Sequence, residues 1–147
     1  MKNLFVLVTL FLGITFSSFS QNNISLKFTS VKGDIFFDTK GTYTTNFIVN
    51  GLNNDKEAES FKSIFLADKN VKSINIYKTG SESEARKVTL VILNNDKENM
   101  KHLREILPCN IIIVDGKSYT KDQFEQIKKD LTEKKQVQNR TDRNEKK

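Results

Sequence analysis

The pentapeptide NNDKE occurs twice in this chain, at residues 53–57 and 94–98. Each copy follows an apolar, β-rich run, FIVNGL or TLVIL, and each precedes an amphipathic one. The hydrophobic period changes from two to the helical spacing at both places, which sets two strand-to-helix junctions in one short chain. Asn54 and Asn95 read as N-caps, with Glu57 and Glu98 three residues on, the spacing of a capping box. Asp55 and Asp96 add negative charge in the first turn, where the helix dipole favours it.

The flanking segments extend the pattern. NISLKFTSV alternates Ile24, Leu26 and Phe28 against polar neighbours, a half-buried strand. KGD is a turn, IFFD a short strand and TKGT a second turn. YTTNFIVNG is a longer strand, with Tyr43, Thr45, Phe47 and Val49 on one side. Ala58, Phe61, Ile64 and Phe65 fall on one helical face, and Asn70 suits a left-handed residue beyond the helix end. VKSINIY and KVTLVIL are strands separated by a polar connection. Met100, Leu103, Ile106 and Leu107 make a second helical stripe that Pro108 stops. NIIIV reads as a central strand, and Asp115–Gly116 as a tight turn. Thr120 with Gln123 three residues later opens a last helix, striped by Phe124, Ile127 and Leu131.

Residues 43–114 therefore read β-α-β-β-α-β. The expected fold is α+β: a ferredoxin-like sandwich with both helices on one face of the sheet, an N-terminal β extension and a C-terminal helix. The other face would be open or covered by the extension or the last helix. The expected divisions are a leader at 1–20, the extension at 21–42, the ferredoxin-like domain at 43–120, an amphipathic helix at 121–135, and a disordered basic tail at 136–147.

The order of elements, the Val49-x-Gly51-Leu52 approach to the first junction, and Ala58, Phe61 and Phe65 on the helix after it resemble the heavy-metal-associated domain of metallochaperones and metal-pumping ATPases. The resemblance covers about half the chain. It implies a ferredoxin-like fold with a loop at this junction that holds a soft metal ion between two thiolates. In that family the loop reads Met-x-Cys-x-x-Cys. Here Leu52 stands at the methionine, and Asn54 and Glu57 at the two cysteines. The metal activity therefore does not carry over, and no cofactor is expected. The family's aromatic residue near the end of the second helix is also replaced, by Pro108, Cys109 and Asn110.

Lys2, the apolar run at 4–16, and Ser18 and Ser20 at the −3 and −1 positions make a secretory signal with cleavage expected after Ser20. The run is shorter than the ~20 apolar residues of a membrane span, so no transmembrane segment is expected after cleavage. The expected location is periplasmic or extracellular. One cysteine, Cys109, rules out an internal disulfide, and burial is the simplest fate for a lone thiol in an oxidising compartment. The net charge of +6 comes partly from the tail, where residues 121–147 hold nine basic and six acidic side chains. A nucleic-acid role wants a clustered basic face with interleaved aromatics and is not expected of an exported chain. The single histidine, His102, has no Gly-x-Ser-x-Gly elbow to serve, and Gly-rich phosphate loops are absent. The expected function is non-catalytic binding of another envelope or secreted protein, through the open sheet face or through the helix carrying Phe124, Ile127 and Leu131. Two alternatives stand beside it. One is a metal-binding or metal-transport accessory protein using non-standard ligands such as His102 and Cys109. The other is a small secreted hydrolase. The oligomeric state and the partner's identity are not legible in the sequence.

Overall fold

The computed structural model describes residues 24–79 and 85–144. The expected leader and its cleavage site lie outside these residues. The chain forms β1 (Ser25–Phe28), β2 (Phe37–Asp38), β3 (Tyr43–Asn50), α1 (Asp55–Leu66), β4 (Val71–Lys78), β5 (Arg86–Ile92), α2 (Lys97–Ile106), β6 (Ile111–Val114), β7 (Lys117–Thr120) and α3 (Phe124–Asn144). The result is an α+β fold with one mixed sheet in the order β4-β5-β3-β1-β6-β7, with β2 paired to the start of β3.

The sheet order differs from the expectation in one place. An uninterrupted ferredoxin-like sheet sets the last strand of the second β-α-β half, β6, beside the first strand, β3. Here β1 lies between them, antiparallel to β3 and parallel to β6. The segment expected as a peripheral extension is thus interior, and its apolar face explains why. Leu26 and Phe28 are buried, in register with Val49 and Phe47 on one side and with Ile112 and Val114 on the other. Burying two large side chains from one short strand is worth several kcal/mol, at roughly 1.5–3 kcal/mol each.

Two further expectations are corrected. Thr120, expected as the cap of the last helix, also ends a strand, β7, because the turn expected at Asp115–Gly116 takes positive φ at both residues and folds the chain back onto β6 as a tight hairpin. The last helix does not end at residue 135 but runs to Asn144. Its polar second half is held by i,i+4 bonds, Gln138 to Asp142 and Thr141 to the Val137 carbonyl, and by an ion pair from Lys32 to Asp142.

One parity of the strands makes the core. Val71, Ile74, Leu90, Ile92, Phe47, Val49, Leu26, Phe28, Ile112, Val114 and Tyr119 join Ala58, Phe61 and Phe65 of α1, Leu103 of α2 and Ile127 of α3 in one cluster. All three helices therefore cover the same face of the sheet. The other face carries the opposite parity, and none of its strand residues is buried. Among the described residues, neither 24–42 nor the last helix covers it.

Candidate functional site

The loop after β3 is a closed hydrogen-bonded unit. Asn54 caps α1: its Oδ1 accepts from Glu57 N–H at 2.9 Å. The Glu57 carboxylate reaches back to the Asn53 N–H at 2.8 Å and to the Asn54 amide at 3.2 Å. Leu52 is buried in the core. Arg86, at the start of β5, donates to the Leu52 carbonyl and pairs with Asp55 at 2.9 Å. Lys78 also binds Asp55, and these two cations hold its carboxyl below the usual range, Lys78 first. The positions at which the resemblance would set thiolates are thus occupied with each other and with the backbone. Among the described residues, no group of three or more His, Cys, Asp and Glu could hold a metal ion. Arg86 was not singled out in the sequence, where it is one of many basic residues.

Cys109 and His102 have different surroundings. Cys109 is buried in the core cluster, and burial pushes its thiol up to about 11 against the weaker pull of Lys121. Such a group is a small hydrophobe, not a nucleophile or a ready ligand. His102 lies on the exposed side of α2, with Nε2 3.9 Å from Asp68 and Nδ1 4.0 Å from Glu105.

The stripe of α3 is taken up within the chain. Ile127 is 3% exposed, Phe124 and Leu131 pack against the core, and the Arg104 guanidinium stacks 5.1 Å from the Phe124 ring centre. Polar ties reinforce the docking. Asp130 accepts from Lys117, from the Tyr119 hydroxyl at 2.6 Å and from Gln126, and these bonds hold its carboxyl down to about 2. Lys134 bridges Asp115 and Ser30, and Lys135 pairs with Asp34. Gly33, at φ +81°, lies so close that a Cβ there would stand 2.6 Å from the Leu131 carbonyl oxygen. These contacts leave little of the stripe to offer a partner.

Two other places are open. The first is the uncovered sheet face. One row across it reads Tyr77, Lys87, Ile48, Lys27, Ile113 and Ser118 by strand register. Ile111 lies in the adjacent row on one side and Val91 two rows away on the other, and Ile111 and Tyr77 are exposed. Lys27 and Lys87 are the two charged residues among the paired strand positions on this face. Neither has an ion-pair partner among the described residues. Strand alternation made this face predictable; the charge on it follows only once register is known.

The second is a groove of about 950 Å³ between the α1–β4 turn and α2, lined by Ala67, Asp68, Asn70, Leu93, His102 and Glu105 among others. Asn70 does not take the left-handed conformation expected of it; among the described residues those with positive φ other than glycine are Lys32, Lys40 and Asp115. It is buried instead, and its side chain clamps the backbone of Asn94: Oδ1 accepts from Asn94 N–H at 2.8 Å and Nδ2 donates to the Asn94 carbonyl at 2.9 Å. Asp68 is 6% exposed, and its Oδ1 accepts from Asn70 N–H at 2.8 Å. Its other oxygen, Oδ2, has no hydrogen-bond partner among the described residues. Compared with known proteins, the chain matches no family model, no curated protein and no solved structure.

Proposed function

We propose that this chain is an exported, non-catalytic binding domain of the cell envelope, a heavy-metal-associated-like domain without its metal ligands, which contacts an acidic partner protein through the open face of its sheet. The observation that carries the reading is the pairing of uncovered apolar side chains with unneutralised lysines. Ile48 and Ile113 flank Lys27 across the strands, and Ile48 and Tyr77 flank Lys87. A face of that kind offers apolar contact to bury and two cations that steer and orient an anionic surface. Export rests on the leader-like N-terminus, and the family likeness on the β-α-β-β-α-β order with β1 as an insertion. The metal-handling alternative would draw on His102 and Cys109, and a buried thiol held at about 11 does not favour it.

A photo-reactive residue at Ile48, activated in intact cells, tests the proposal, with Glu59 on the exposed side of α1 as the control position. The expected result is one discrete product from position 48 and none from position 59. That product should be strongly reduced by Lys27→Glu with Lys87→Glu, and by raised salt. Equal products from both positions, or a product indifferent to charge reversal, would overturn the reading.

A further inference from the structure

We infer that the groove between the α1–β4 turn and α2 is a binding site for an alkylammonium or guanidinium group, with Asp68 as the anchoring carboxylate. The inference starts from Asp68. One oxygen is satisfied by Asn70 N–H at 2.8 Å, and the other is shielded from solvent without a donor. Leaving a buried acceptor unmade costs about 1–3 kcal/mol, more when it is charged. The nearest cationisable atom, His102 Nε2, is 3.9 Å away, beyond hydrogen-bond range.

The carboxylate cannot relieve itself by turning outward. Doing so would give up the Asn70 N–H, and Asn70 is fixed by its two bonds to the Asn94 backbone. The corner is therefore preorganised, with one unsatisfied acceptor at the groove. The surroundings fit a cation on an aliphatic stem. Glu98 and Glu105 add carboxylates, Asn94 and Asn99 add polar groups, and Ala67 and Leu93 supply apolar wall. The volume lies within the range of small-ligand sites, about 300–1,000 Å³. An anion would meet a desolvated carboxylate, and a neutral ligand would leave its charge uncompensated. A transition-metal ion would find two ligands, Asp68 Oδ2 and His102 Nε2, because Glu105 faces the other ring nitrogen.

His102 lies over Asp68. Its side chain is 59% exposed, while that of Asp68 beneath it is 3% exposed. A ligand that donates to Oδ2 takes the place of the imidazole there. The charged and titratable groups facing the site are Asp68 and Lys69 from the turn, and Glu98, Lys101, His102 and Glu105 from α2.

The test is a titration of the full chain followed by amide and imidazole NMR shifts at pH 7.5. The probes are n-butylammonium, the peptides Gly-Lys-Gly and Gly-Arg-Gly, tetramethylammonium as a cation without donors, and zinc chloride. The expected result is saturable shifts at Asn70, Asn94 and His102 with butylammonium or the peptides. The affinity should fall roughly ten-fold or more in Asp68→Asn, as for loss of a charge-assisted hydrogen bond. It should rise several-fold in His102→Ala, which uncovers Asp68 Oδ2 by a substitution on an exposed helix face and decides the matter if Asp68→Asn does not fold; no rise there overturns the proposal. Tighter binding of the peptides than of butylammonium supports a protein side chain as the natural ligand, and the reverse supports a free amine. Saturation by tetramethylammonium to the same extent, Asp68→Asn binding as well as the wild type, or saturation by zinc alone would overturn the proposal.

Discussion

The two NNDKE segments start two helices, but they do so in different registers. In the first copy the cap is Asn54, and the glutamate closes the box by reaching the Asn53 N–H. In the second the cap is Asp96, one position later in the pentapeptide, and its Oδ1 accepts from both Glu98 and Asn99 N–H. Asn99, outside the repeat, takes the place that Glu57 has in the first copy by bonding the cap's side chain. The difference comes from what precedes each loop. After β3 the chain is held at Leu52 by Arg86, two residues before the cap. After β5 it is held at Asn94 by the Asn70 side chain, which binds both Asn94 backbone groups and keeps them from the helix. The next residues able to turn are Asn95 and Asp96. Identical local sequence thus guarantees a helix start, and a tertiary anchor decides which residue makes it.

That account is most exposed at Asn70. Asn70→Ala removes two bonds to a half-buried backbone and strips the support of the Asp68 corner. The expected cost is about 2–3 kcal/mol in chemical denaturation. With the clamp gone, the second copy is released to cap through Asn95 as the first does through Asn54, which hydrogen exchange at residues 97–99 would show. An unchanged exchange pattern would mean that the clamp does not set the register. Next in size is the first anchor. Arg86→Met keeps the buried stem and removes the guanidinium, for an expected loss of about 1–2 kcal/mol. Its partner Asp55 is largely exposed, so part of that loss should be screened by salt, whereas the Asn70 effect should not. The caps follow: Asn54→Ala and Asp96→Ala should each cost about 1 kcal/mol, and Asn95→Ala close to nothing. A larger loss at Asn95 than at Asp96 would restore the in-register reading.

The residues that misled the sequence reading share one property: their role is set by a partner distant in sequence. Alternation located β1, β3, β4 and β5, and the helical stripes located α1 and α2, because each signal is local and the burial it implies was found. Strand order is not local. Nothing within residues 24–28 says that they lie between β3 and β6, and their apolar face would serve an edge strand equally well. Asn70 fits a left-handed position by composition and is instead a clamp spanning 24 residues. Asp68, in the loop beside it, carries no periodic or motif signal, yet it is the buried carboxylate of the groove. The stripe of Phe124, Ile127 and Leu131 is legible as apolar, and docking on the body is its default reading; that β7, Gly33 and the lysine ties receive it is not legible there.

The smallest expected effects separate the two copies most sharply. Glu57→Ala removes the acceptor of the Asn53 N–H and should cost about 0.5 kcal/mol, while Glu98→Ala, whose carboxylate plays no part in its cap, should cost nothing measurable. Acid then distinguishes the caps themselves. The Asn99 N–H, followed by the Asn99 amide, holds the Asp96 carboxyl below its usual range. A carboxyl lowered on folding stabilises the fold above its unfolded pKa, and that contribution is lost as pH falls through the folded value. The α2 start should therefore loosen at the acid end, below about pH 4. The Asn54 amide has no such proton, and the acid response of the α1 start should come from Asp55 with Lys78 and Arg86, and so be sensitive to salt. Asp96→Asn should flatten the acid limb of exchange at residues 98 and 99 and leave residue 57 unchanged. An acid limb that persists in that variant would mean that the second cap does not depend on the charge of Asp96.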